Sequence, residues 1–277
     1  MKNINYIIIA FNVCVITCFS CTEKPIILPD LKIGERKIVV EELTGVRCPN
    51  CPDGTAELVA LDKTYGENLI IVAVHAAGTF SVPYTSPPAN KYDFRFPAAQ
   101  EMADFLGFPE GFPTASVNRI FPAGATSIYL PRGNWAGIIA NALAVEPTTG
   151  VYLITTFDSL TRKVDIEVNI SSQYDLPEDT RLTVLLTQDS IIDTQQVGPI
   201  RVADYVHRHV LRKTLTSPTG DMLEGSLTAP SLITRKFDFI LPDDWEAKHC
   251  TIVAFAHHGG FDNKEILQAE EVPIKNN

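Results

Sequence analysis

Two cysteines separated by two residues, Cys48-Pro49-Asn50-Cys51, are the part of this sequence best suited to chemistry. The spacing lets both sulfurs reach disulfide distance within one turn of chain. A helix that starts there stabilises a thiolate through its free N–H groups and dipole. Arg47 adds an adjacent positive charge. In that setting Cys48 attacks a substrate disulfide and Cys51 resolves the mixed intermediate. The same residues fit two other roles. Structural zinc takes four ligands, and a second CxxC is absent, so Cys250 with His249, or the pairs His207/His209 and His257/His258, would have to complete a site from far along the chain. A disulfide that merely staples a turn needs only the spacing. The pattern calls for no metal and no cofactor.

The elements around the pair decide how much the spacing means. Residues 37–43 (KIVVEEL) read as a strand, and 44–52 (TGVRCPNCP) are dense in turn formers. Leu58, Leu61 and Tyr65 fall at helical spacing across 53–65, with Gly66 at the C-cap position. The β-branched run 69–75 suits a buried strand, which completes a strand–helix–strand unit with the CxxC at its first turn. Pro52 is compatible with the first turn of the helix but delays its regular part, which leaves Cys48 just outside it. Glu41 and Glu42 are neighbours on the first strand, and alternation turns only one of them inward.

Residues 76–96 form a long irregular stretch, read as a lid or flap. A short helix follows over 97–106, then a strand over 115–121 and a helix over 134–144. Beyond Pro147 the texture changes. Val164, Ile166, Val168 and Ile170 alternate with polar residues, as on a strand with one buried face. Further strands are read over 151–157, 182–187, 209–215, 236–241, 251–257 and 265–272. Seven strands without a helix predict an antiparallel β-sandwich. His75 ends a strand near the CxxC, where it either joins the chemistry or is a hydrogen-bonded edge residue. His207 and His209 alternate as though on one strand face, a two-histidine arrangement. Cys250 precedes an apolar run and reads as a small buried hydrophobe.

The front of the chain carries an address. Lys2 is the only charge before Glu23, an apolar stretch spans 6–19, and Ser20 precedes Cys21. This describes a secretory leader. It resembles the bacterial lipobox, in which the cysteine becomes the lipidated first residue, although Cys18 stands where that motif usually has Leu. The acyl chains would hold the protein to a membrane without spanning it. Of six cysteines, Cys48, Cys51 and Cys250 then remain free of leader and lipid, in a compartment that permits disulfides. The 33 acidic against 23 basic residues give a net charge of −10, which argues against a nucleic-acid partner. No Gly-rich phosphate loop, Gly-x-Ser-x-Gly elbow or HExxH motif occurs.

The order strand, CxxC, helix, strand, helix and Pro-Thr before another strand resembles the thioredoxin-like family. The resemblance implies a cis-proline opposite the CxxC, matched by Pro113, with Phe112 before it as the residue that binds substrate peptide. It also implies a buried acid that moves protons, matched by Glu42. Thr44-Gly45 before the CxxCP, Gly111-Phe-Pro-Thr leading to Asn118-Arg119, and Tyr205-Val-His-Arg-His-Val-Leu-Arg212 are similar to the outer membrane protein 28 type of lipoprotein, over nearly all of 21–277. The expectation is therefore a leader (1–20), a tether (21–36), an α/β thioredoxin-like domain (37–147) and an all-β antiparallel sandwich domain (148–277). It would be an outer-membrane lipoprotein of the cell envelope. Its function would be thiol–disulfide exchange with protein thiols or disulfides, or binding and assembly with Cys48–Cys51 as a staple.

Overall fold

The computed structural model describes residues 33–275 apart from 77, 108 and 110. The leader, Cys21 and most of the tether lie outside the described residues.

Every residue of β1 (Ile38–Leu43) and β2 (Leu69–Val74) is buried, as strands covered on both faces must be. They pair in parallel, with α1 (Cys51–Tyr65) as the crossover between them. α2 (Pro97–Leu106) opens on a proline and leads to β3 (Thr114–Val117) and β4 (Tyr129–Pro131), which extend the sheet antiparallel, before α3 (Trp135–Leu143). Strands β5 (Thr149–Phe157), β6 (Lys163–Ser172), β7 (Thr180–Gln188), β8 (Ile191–Val197), β9 (Ile200–His207) and β10 (Val210–Thr214) follow. The last are β11 (Asp221–Met222), β12 (Ser231–Ile240), β13 (Cys250–His258) and β14 (Ile266–Pro273).

The large sheet crosses the expected boundary at 147. The large mixed sheet runs β14-β13-β7-β10-β2-β1-β3-β4, so strands from both halves of the sequence share it. The join is the parallel contact of β10 with β2, where Ala73 N donates to His209 O at 2.8 Å. The result is a β-rich fold with a mixed sheet and a few helices.

One face of this sheet packs on α2. Val39, Ile70 and Val72 meet Ala99, Met102 and Leu106 in the same core as Leu185, Val253 and Phe255 from β7 and β13. On the other face, α1 and α3 cover Ile38, Val40 and Ile71 through Leu58, Trp135 and Ile139. Beside them the separate antiparallel sheet β12-β6-β5 covers β7 and β13, with Val164, Ile166, Val168 and Ile170 against Val184, Leu186, Ile252 and Ala254. The third sheet is the β8–β9 hairpin, which does not join the other two.

Because both faces are covered, Glu41 and Glu42 are both buried, on opposite sides of β1, and the expectation that only one turns inward is corrected. Glu41 meets Arg119, whose guanidinium donates to both carboxylate oxygens at 2.9 and 2.6 Å. Asn118 and Arg119 take left-handed backbone (φ 50° and 53°). Asn118 Nδ2 donates to Ile266 O, which ties the end of β3 to the start of β14. His257 completes this network: its Nε2 lies 2.9 Å from Thr183 Oγ1 and its Nδ1 3.3 Å from Arg119 NH1. Burial holds His257 neutral, with its pKa well below the usual histidine range.

Candidate functional site at the CxxC loop

The loop between β1 and α1 turns tightly, with Cys48 N donating to Gly45 O at 3.0 Å. Helix α1 begins at Cys51, with Asn50 at the N-cap, Pro52 in the first turn and Gly66 at the C-cap. Cys48 therefore sits in the turn before the helix and Cys51 at its start. The two form a disulfide with their Cα atoms 5.3 Å apart, and each cysteine is only 1% exposed.

Thr55 Oγ1 of α1 lies 3.4 Å from each carboxylate oxygen of Glu42. Burial pushes its carboxyl up to about 8, against the opposing hydrogen bond from Thr55. Gly54 makes the close approach possible. A Cβ there would stand 2.7 Å from Pro113 Cβ and 2.9 Å from Glu42 Oε1. The structure thus brings Glu42 and Pro113 together around the first turn of the helix that carries Cys51. The Phe112–Pro113 peptide is cis, and the Phe112 ring stacks at a tilt on half-exposed Phe80, 5.5 Å between centroids.

Arg47 does not serve the cysteines. Its guanidinium donates to Val82 O and Pro83 O, both at 2.6 Å, and lies 4.5 Å from the centre of the Tyr84 ring. Its backbone N–H donates to Phe80 O at 2.7 Å. Arg47 holds residues 80–84 of the irregular stretch, and its guanidinium is directed at their carbonyls and the Tyr84 ring.

The second cover of the loop was not legible as a site residue by residue: it is the β8–β9 hairpin. Gln195 Nε2 donates to Gly45 O and Cys48 O, both at 3.2 Å. Gln196 N donates to Val46 O (2.8 Å) and Gly198 N to Pro49 O (2.9 Å). The Gly198-Pro199 turn between two β-branched runs is the sequence signal that marks this hairpin.

From β9 come Tyr205 and His207. His207 and His75 line a cavity of about 10 Å³ together with Thr44, Thr55 and Tyr205. Burial pushes the His75 pKa down to about 3 and that of His207 to about 4, so both rings are neutral at physiological pH. The expected His207/His209 pair is not on one strand: β9 ends at His207, and His209, at φ 50°, turns toward Asp189 at 3.4 Å. Among the described residues no group of three or more His, Cys, Asp or Glu side chains is placed to hold a metal ion. Cys250 is buried between β7, β13 and the small sheet, its thiol pushed up to about 12.

Residues 108–277 match the family model of outer membrane protein Omp28. The chain belongs to the outer membrane protein Omp28 family. This places it among outer membrane proteins of the cell envelope, and no helix among the described residues is long and apolar enough to cross a membrane. The Omp28 match includes Phe112, Pro113, the Asn118-Arg119 turn and the β8–β9 hairpin, and it begins after the CxxC. Among solved structures, the chain is similar to HBP35 of Porphyromonas gingivalis, at 22% identity and TM-score 0.68, over 87% of this chain and 76% of that one. It is also similar to protein AGR_C_4864 from Agrobacterium tumefaciens, at 13% identity and TM-score 0.54, over 88% and 97% of the respective chains. These likenesses concern the fold. No curated protein sequence matches the chain.

Proposed function

We propose that this Omp28-family protein is a lipoprotein, released from a signal peptide and anchored through Cys21. In this reading β1 to α3 form a thioredoxin-like unit that exchanges thiols and disulfides with envelope proteins. The observation that carries the reading is that the buried Glu42 and Pro113 meet at Gly54, in the helix that begins at disulfide-bonded Cys51. In the exchange, a partner thiolate attacks Cys48 Sγ and the Cys51 thiolate leaves. A second partner thiolate then attacks the partner sulfur of the mixed bond and releases Cys48, so the partner is oxidised and the pair reduced. A carboxyl held protonated near neutral pH supplies a proton to the departing Cys51 thiolate, which is the role proposed for Glu42. Phe112 and Pro113 border the place where the partner docks.

A second reading is favoured by one observation: both cysteines are almost fully covered. In it the chain is a binding or assembly protein and the disulfide a staple, since fold does not dictate function. Turnover separates the two. The full chain should accelerate dithiothreitol-driven reduction of insulin disulfides, and Cys48→Ala should abolish the acceleration. Equal rates for the two proteins would leave the staple reading in force.

A further inference from the structure

The β8–β9 hairpin covers the CxxC loop with donors from its backbone and from one side chain. Gln196 N–H near the end of β8 and Gly198 N–H in the hairpin turn reach Val46 O and Pro49 O, and Gln195 adds its side-chain amide to Gly45 O and Cys48 O. Carbonyls of the catalytic-loop candidate thus form an acceptor row already filled by a strand from far along the sequence.

What holds that strand is mainly polar. Asp193 accepts from Lys91 N and Tyr92 N, Asn90 Nδ2 donates to Thr194 O, and Tyr84 OH donates to Gln196 Oε1 at 2.9 Å. Of its large apolar side chains, Ile192, Ile200 and Val206 face solvent, while Ile191 packs in a small cluster with Val46, Phe94 and Val210. The hairpin joins neither of the other two sheets, so these bonds and the small Ile191 cluster are what hold it over the loop.

We propose that residues 195–198 are an intramolecular occupant of a polypeptide-binding groove on the CxxC loop, and that a partner polypeptide displaces them. This deepens the exchange reading and rests on it for the thiol that the peptide carries. Lifting the hairpin bares the disulfide and offers the carbonyls of Gly45, Val46, Cys48 and Pro49 to a partner's N–H donors.

The test uses the full chain under native conditions and follows reduction of Cys48–Cys51 by excess dithiothreitol. Gln195→Ala should raise the rate at least tenfold, and Tyr84→Phe, outside the cores, about threefold, with amide exchange of β2 unchanged. A synthetic peptide copying residues 191–200 should slow the accelerated Gln195→Ala reaction by re-occupying the groove. Unchanged rates in both variants, acceleration that only follows faster β2 exchange, or no protection by the peptide would each overturn the proposal. The outcomes remain separable from the exchange reading. Rate changes without insulin reduction overturn exchange and leave the groove, whereas insulin reduction with unchanged rates overturns the groove alone.

Discussion

Glu42 is the residue whose chemistry is most exposed to test. A carboxyl with a usual value of 4.5 that is pushed to about 8 by burial keeps its proton in the folded chain and loses it in the unfolded one across that interval. The folded state binds more protons there, so stability falls as pH rises from about 4.5 and the loss is complete above about 8, at roughly 1.4 kcal/mol per unit. His75 and His207 act on the other side. Their lowered values mean that stability present above about 6.5 is lost as pH falls toward 4. Denaturant titrations from about pH 4 to pH 9 should therefore show Glu42→Gln flattening the alkaline limb, with a gain of several kcal/mol near pH 9, while the acid limb stays. An unchanged alkaline limb would remove Glu42 as the buried acid. The pair Glu41–Arg119 is a different kind of buried charge. It is matched in a bidentate bond, and its role is to lock the turn at Asn118-Arg119 beneath β1.

Among the elements, those built from apolar periodicity were legible. The run 69–75 became β2, the proline-led 97–106 became α2, and the alternation of Val164 to Ile170 became β6. The hairpin was not, for a physical reason. In β8 the buried residues after Ile191 are Asp193, Thr194 and Gln195, covered because they hydrogen-bond the loops around the CxxC and not because they are apolar. A pattern search for alternating apolar side chains passes over such a strand. For the same reason Arg47 misleads. Its position beside Cys48 is read from the sequence, but its direction is set by the carbonyls of Val82 and Pro83. The start of α1 at Cys51, with Cys48 outside it, follows from Pro52 in the first turn and was readable.

At the scale of the whole molecule, the sheet crosses the point where sequence texture changes. Nothing local in the chain announces the pairing of β10 with β2, because a parallel contact between distant segments leaves no periodic trace. The consequence is energetic. Leu185, Leu211, Val253, Phe255 and Ala269 share a core with β2 and α2, so the first half of the chain leaves that core incomplete when alone. A chain ended at residue 147 should show poorly dispersed amide resonances and no cooperative thermal transition. A sharp transition would restore the independence of that unit.

The account stands most directly on the redox character of Cys48–Cys51. Its equilibrium reduction potential should be measured on the full chain, titrated against glutathione and dithiothreitol and read by alkylation and mass of the peptide that holds both cysteines. The account predicts a value between about −120 and −270 mV, the range of exchange-active CxxC proteins. A value below about −300 mV would contradict it and leave the pair as a structural bond.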